Sequence, residues 1–213
     1  MEVLEGNAWI SMNKLTLLDI MENWDTLCTK ENFIGLGSTR KVYCLGKYVV
    51  KKHLNRIGYL QSLRELEIYT SMKQTKYAHI FSPVFYVNKE ICIQQYYQEV
   101  PMYDNQTFDI QEKKGLWEFP SYYEECIEIL DKEWDVFDIR DSSNYGMNER
   151  RVLVLIDYGM SKTLYEKEWV PAAEKGDIPQ IEVHICGTCG IKKEIRMYGK
   201  NDLDIRCITC GKE

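Results

Sequence analysis

The chain has 213 residues, enough for one sizeable domain and a small appendage. A formal net charge of −6 excludes a general coat for nucleic acid or an anionic membrane, and no apolar run approaches the roughly 20 residues of a membrane span. The opening MEVLEGNAWISM lacks the basic start and apolar centre of a signal peptide, so an intracellular, cytoplasmic protein is expected.

Residues 11 to 29 place Leu15, Leu18, Met21, Trp24 and Cys28 at three- and four-residue steps. That spacing predicts an amphipathic helix closing an N-terminal unit over residues 1–29, with Asn13 or Ser11 as its N-cap. FIGLGSTRKVYCLGKYVVKK, residues 33 to 52, then reads as strand, turn and strand, with Lys51 and Lys52 on opposite faces. Helical period returns over residues 56 to 73 through Leu60, Leu63, Leu66 and Tyr69. YAHIFSPVFYV and EICIQQYYQEV, separated by Asn88-Lys89, predict an antiparallel pair. Residues 101 to 119 are polar and rich in turn formers. Ser121 and Glu124 fit a capping box opening a helix with Tyr123, Cys126 or Ile127, Leu130 and Trp134 on one face. RVLVLIDYG reads as an apolar strand ending in Asp157-Tyr158-Gly159, and PAAEKGDIPQ, with two prolines and a glycine, reads as a linker over residues 171–182.

Four of the eight cysteines form two pairs, Cys186-x-x-Cys189 and Cys207-x-x-Cys210, 17 residues apart. This spacing suits a four-cysteine zinc site, in which two thiolate-bearing turns complete a tetrahedron around Zn²⁺. Gly190 and Gly211 follow the pairs and permit the tight backbone around sulfur. Redox-active CxxC is the alternative, but neither pair opens a thioredoxin-like βαβ unit. Residues 183–213 resemble the zinc-ribbon family, small β-hairpin modules. Six bases and four acids there, with about −2 from a four-thiolate zinc centre, leave the module near neutral. Protein contact or structural stapling is therefore expected of it rather than nucleic-acid binding. His184 is a spare ligand or a surface residue. The single cysteines Cys28, Cys44, Cys92 and Cys126 read as small buried hydrophobes.

A lone glycine pair gains meaning only from the residues downstream of it. Gly35-Leu-Gly37-Ser-Thr-Arg40-Lys-Val42 resembles the protein-kinase glycine-rich loop, with Arg40 at the third glycine position. In that family the glycines let backbone N–H groups lie over phosphate oxygens and the valine packs on the nucleotide base. Lys51, after Val49 and Val50, stands where the kinase strand lysine reaches the α/β-phosphates, and Glu65 where the helix glutamate pairs with it; Glu67 is a nearby alternative. FDIRDSSNYGMNERRVLVLIDYG resembles the catalytic loop and the metal-binding D-F-G motif. Asn144 and Asp157 would then hold Mg²⁺ against the phosphates of ATP. The family places its catalytic Asp five residues before the asparagine, where this chain has Ile139. A one-residue insertion makes Asp138 the acceptor of the substrate hydroxyl proton, with Asp141 as runner-up.

The resemblance covers about residues 30 to 165. It implies an α+β, kinase-like bilobal fold with an N-lobe over residues 30–100 and a truncated C-lobe over 101–170, plus the zinc ribbon. The abbreviated pattern is similar to small kinase-like proteins of bacteria and their phages, including short phage-encoded serine/threonine kinases, which would place it in the host cytoplasm. The implied activity is ATP- and Mg²⁺-dependent phosphoryl transfer to a protein or a small hydroxyl-bearing acceptor. Two alternatives remain: a pseudokinase adaptor that binds a partner protein, and a nucleic-acid-binding ribbon carrying a kinase relic.

Overall fold

Helix α1 (Leu17–Leu27) starts at Thr16, whose side chain accepts from the Asp19 N–H at 3.2 Å while Asp19 accepts the Thr16 N–H at 2.9 Å. The computed structural model describes residues 15–113 and 115–212; Ser11 and Asn13, expected as caps, lie outside them. Four of the five residues expected on its apolar face, Leu15, Met21, Trp24 and Cys28, pack against the sheet. Leu18 departs from that face at 60% exposed, and Ile20 is fully buried beside the others.

The sheet has five antiparallel strands in the order β1-β2-β3-β5-β4: β1 (Phe33–Leu36), β2 (Arg40–Leu45), β3 (Tyr48–His53), β4 (Val84–Val87) and β5 (Ile91–Gln95). The pairings Val50↔Ile93 and Lys51↔Cys92 fix which side chains share a face. Tyr48, Val50, Ile91 and Ile93 lie under α1, and Lys52 sits 5.3 Å from the Trp24 ring centroid on that side. Lys51, Cys92 and Gln94 point the other way, toward helix α2 (Arg56–Met72). The expected β4–β5 hairpin is present, its turn held by Asn88 Oδ1, which accepts from the N–H groups of Glu90 (2.9 Å) and Ile91 (2.7 Å).

Below the five-stranded sheet lie a three-stranded one, β6 (Gln98–Glu99), β7 (Tyr145–Met147) and β8 (Leu153–Leu155), and helix α3 (Tyr123–Lys132). The described residues of 101–119 lie in no helix and in none of these strands, yet Ile110 and Trp117 are buried in the main core with Ile68, Leu130 and Leu155. The capping box on Ser121 and Glu124 does not form. Tyr122 precedes α3 in the left-handed region (φ 63°) without a side-chain cap, which moves Ser121 out of the capping position.

After Asp157 the chain makes a short helix α4 (Lys162–Leu164), a π-helical turn (Tyr165–Trp169) and α5 (Val170–Lys175), ended by left-handed Gly176. The residues expected as a linker are therefore partly helical: Pro171 lies at the start of α5, directly after the π-helical turn. Ala173 and Ile178 pack with Ile57 and Leu164. Strands β9 (Gln180–Ile185) and β10 (Lys192–Met197) form an antiparallel hairpin that carries Cys186 and Cys189 in its connecting turn, with Cys207 and Cys210 beyond β10.

Two glycines mark where backbones touch. A Cβ on Gly58 would lie 2.4 Å from the Thr39 carbonyl oxygen, and one on Gly159 only 2.0 Å from that of Gln61. The turn between β1 and β2 and the segment after Asp157 are thus both pressed onto α2. Gly159→Ala is expected to destabilise the fold by about 2 kcal/mol or more, measured by urea denaturation. Gly37→Ala, whose new methyl meets nothing closer than 3.8 Å, should stay within about 0.5 kcal/mol of the parent.

Candidate functional site

Glu65 is completely buried and accepts hydrogen bonds on both carboxylate oxygens. Oε1 receives Lys51 Nζ at 2.9 Å and Arg40 Nη1 at 2.8 Å; Oε2 receives Gln94 Nε2 at 2.9 Å. Lys51 Nζ also donates to the Ile156 carbonyl at 2.6 Å, one residue before Asp157. Glu67, the alternative partner, lies on the exposed side of α2. Strand alternation puts Lys51 and Gln94 on the α2 side, and helical period puts Glu65 opposite them.

Arg40 is the residue whose importance the sequence understates. It is 4% exposed, and its Nη2 lies 2.7 and 2.6 Å from the two oxygens of Asp157. One guanidinium thus joins the helix carboxylate to the carboxylate after β8. Burial alone would raise the Asp157 carboxyl, but the Arg40 and Lys51 cations outweigh it and hold the group down at about 2.

Asn144 meets Asp157 through the backbone: its carbonyl accepts the N–H groups of Ile156 (2.8 Å) and Asp157 (3.3 Å). Its side-chain Nδ2 donates to the Asp138 carbonyl at 2.6 Å, tying the 138–144 loop shut. The two candidate aspartates are not equivalent. Asp141 Oδ1 accepts from Ser143 N–H at 2.7 Å and Ser143 Oγ at 2.6 Å, so it caps the short turn at residues 142–144. Among the described residues no hydrogen bond holds the Asp138 carboxylate. Asp138 is exposed as a residue and sits at φ 56°; the protein packed around its carboxyl, and then the charges of Asp141 and Asp157, push it up to about 6.

Gly35, Gly37 and Val42 lie on the β1–β2 hairpin, where Gly35 pairs with Val42. The hairpin tip is closed by the Gly37 N–H donating to the Arg40 carbonyl at 3.0 Å. The Gly37 carbonyl accepts from Arg196 Nη1 on β10, and Glu194 on the same strand accepts the Thr107 N–H at 2.7 Å. The cysteine-bearing hairpin therefore holds the tip of the glycine turn. No sequence signal marks Arg196 for this contact.

The four sulfurs of Cys186, Cys189, Cys207 and Cys210 all lie within 4.8 Å of one another and can hold a metal ion. Cys186 Sγ accepts backbone N–H groups from Thr188 (3.5 Å) and Cys207 (3.3 Å). Backbone N–H groups, that of Cys189 foremost, draw the Cys186 thiol down to about 6, while hydrogen bonding to Cys207 and burial push Cys210 up to about 12. A cation at the centre relieves that conflict by replacing the protons. His184 pairs with Glu182 at 2.9 Å and is not part of the cluster.

No family model matches the chain, and no curated protein matches it in sequence. Among the described residues no helix is long and apolar enough to cross a membrane.

Two outcomes are expected. The purified protein should carry about one tightly bound metal ion per chain by elemental analysis, lost in Cys207→Ser. In the unfolded chain an aspartate ionises near 4, so the raised Asp138 group stabilises the fold only while protonated, and that contribution disappears as pH rises from about 4 through about 6. The thermal midpoint of the parent should therefore fall relative to Asp138→Asn across that window and keep a constant deficit above it. A pH-independent difference would contradict the assignment.

Proposed function

We propose that the chain is a small phosphotransferase of protein-kinase-like build, moving the terminal phosphoryl group of ATP to a hydroxyl on a protein or small molecule. The observation that carries this reading is the Lys51–Glu65 ion pair at 2.9 Å, set behind the glycine hairpin and beside Asp157 and Asn144. Five residue types that phosphoryl transfer uses, distant in sequence, converge on one region. Lys51 is held by Glu65 and the Ile156 carbonyl, and phosphoryl transfer would use its ammonium against phosphate oxygens. Asp138, unencumbered and with its carboxyl near 6, is suited to accept a hydroxyl proton at neutral pH, where most of it is ionised. Asp141, consumed by its own turn, is the poorer candidate.

A magnesium ion at Asp157 would have to share both carboxylate oxygens with Arg40 or displace the guanidinium from them. The four-cysteine cluster suits Zn²⁺ by its all-thiolate donor set, as in a zinc ribbon, with a structural role: no ligand position is left for a substrate when four thiolates close a tetrahedron. A second reading, a pseudokinase adaptor for a partner protein, is favoured by the same Arg40 contact, which shuts the site.

The test is incubation with terminally labelled ATP, divalent cation and cell lysate. Transfer to the protein itself or to a lysate component is expected, reduced roughly a hundredfold or more in Asp138→Asn and Lys51→Met. Thermal stabilisation by ATP without any transfer would favour the adaptor. Neither stabilisation nor transfer would sink the phosphotransferase reading.

A further inference from the structure

Arg40 stands where the kinase pattern has glycine, and its guanidinium fills the space at Asp157 where that pattern has a metal ion. Nη2 contacts both Asp157 oxygens at 2.7 and 2.6 Å, a geometry that leaves neither with a free approach from that side. Nη1 is fixed on Glu65 at 2.8 Å. The four formal charges, Arg40 and Lys51 against Glu65 and Asp157, sum to zero. Without Arg40 the same cluster carries one net negative charge, and the Asp157 carboxylate loses the guanidinium that contacts both its oxygens.

The backbone around Arg40 is equally committed. Thr39 Oγ1 donates to Gln61 Oε1 at 2.5 Å, and the Thr39 carbonyl accepts the Leu54 N–H at 2.9 Å. Arg196 holds the carbonyl of Gly37 at the turn's other end. Arg40 itself is 4% exposed, so its guanidinium is packed in place on a turn that is held at both ends.

We propose that Arg40 is the resident cation of this site, occupying the coordination space of Asp157 so that a divalent cation is excluded until the guanidinium withdraws. The inference goes beyond the phosphotransfer reading. It concerns which cation Asp157 holds and stands whether or not the chain moves a phosphoryl group.

The experiment is a titration of the full-length protein, its cysteine centre loaded with zinc, with Mn²⁺ alone. Bound Mn²⁺ is followed by loss of the free-ion electron paramagnetic resonance signal, and the thermal midpoint is read in parallel. The parent should bind Mn²⁺ no better than Asp157→Asn. Arg40→Met, which keeps the side-chain length and removes the charge, should bind it roughly tenfold tighter or more, because the repelling charge has gone from about one ionic diameter away. Mn²⁺ should also raise its thermal midpoint, and Arg40→Met/Asp157→Asn should lose both gains. If Arg40→Met folds only in the presence of Mn²⁺, the proposal is supported in the same way. The parent titration decides the matter even if that variant never folds: Mn²⁺ binding by the parent that Asp157→Asn abolishes would overturn the proposal, as would a folded Arg40→Met that gains no affinity. Phosphoryl transfer is not read at any point, so its absence leaves this result intact.

Discussion

A carboxylate with no access to water needs compensation from the protein on every side, and Glu65 obtains it from three segments at once. Lys51 comes from β3, Gln94 from β5 and Arg40 from the start of β2. Removing one partner of such a cluster typically costs about 3–5 kcal/mol, because the remaining charge is stranded in a poorly solvating interior. The cluster therefore sets the position of α2 against the sheet. Through the second arm of Arg40 it also sets the position of the segment that carries Asp157. Gly159 follows from that constraint: once Asp157 is drawn to Arg40, the chain passes so close to Gln61 that no side chain fits.

The same cluster explains why an arginine stands at the end of this glycine turn. Glycine is needed where φ is positive or a backbone must approach closely. Arg40 is not among the residues of positive φ; it is the first residue of an ordinary strand, paired with His53. What the turn needs is a partner for two carboxylates, and a guanidinium, whose planar fork offers donors to both, suits that requirement better than lysine.

Much of this was legible in the sequence where a short period governs it. Alternation along β3 separates Lys51 from Lys52, and the structure places Lys52 against Trp24 on the opposite face. The CxxC spacing likewise brings four sulfurs together, because each turn is local and only one long-range meeting is needed. Features set by single backbone angles or distant contacts were not legible. On α1 the exchange of Leu18 for Ile20 was not legible, because both are apolar and only docking on the sheet decides between them. The Ser121 cap was lost to one left-handed residue, Tyr122. Pro171 reads as a break only when its position within a helix is unknown. Arg40 finds its partners 25 and 117 residues away, and nothing near it in the sequence announces either.

The cysteine hairpin bears on the site by position and not by chemistry. Its near-neutral charge gives it little pull on phosphate, and its thiolate cluster sits at the end of β9 and β10 away from the strand residues that touch the rest of the chain. Those residues, Glu194 and Arg196, share one face of β10 by the two-residue period of a strand, so a single docking of the hairpin satisfies both contacts. A two-stranded hairpin is marginal alone in water, and a metal ion is the ordinary means of making one rigid. Rigidity matters because the atom being held, the Gly37 carbonyl, belongs to a turn whose glycines would otherwise leave it free to move. The turn is thus fixed from inside by Arg40 on Asp157 and from outside by Arg196, and any opening of the site must release both.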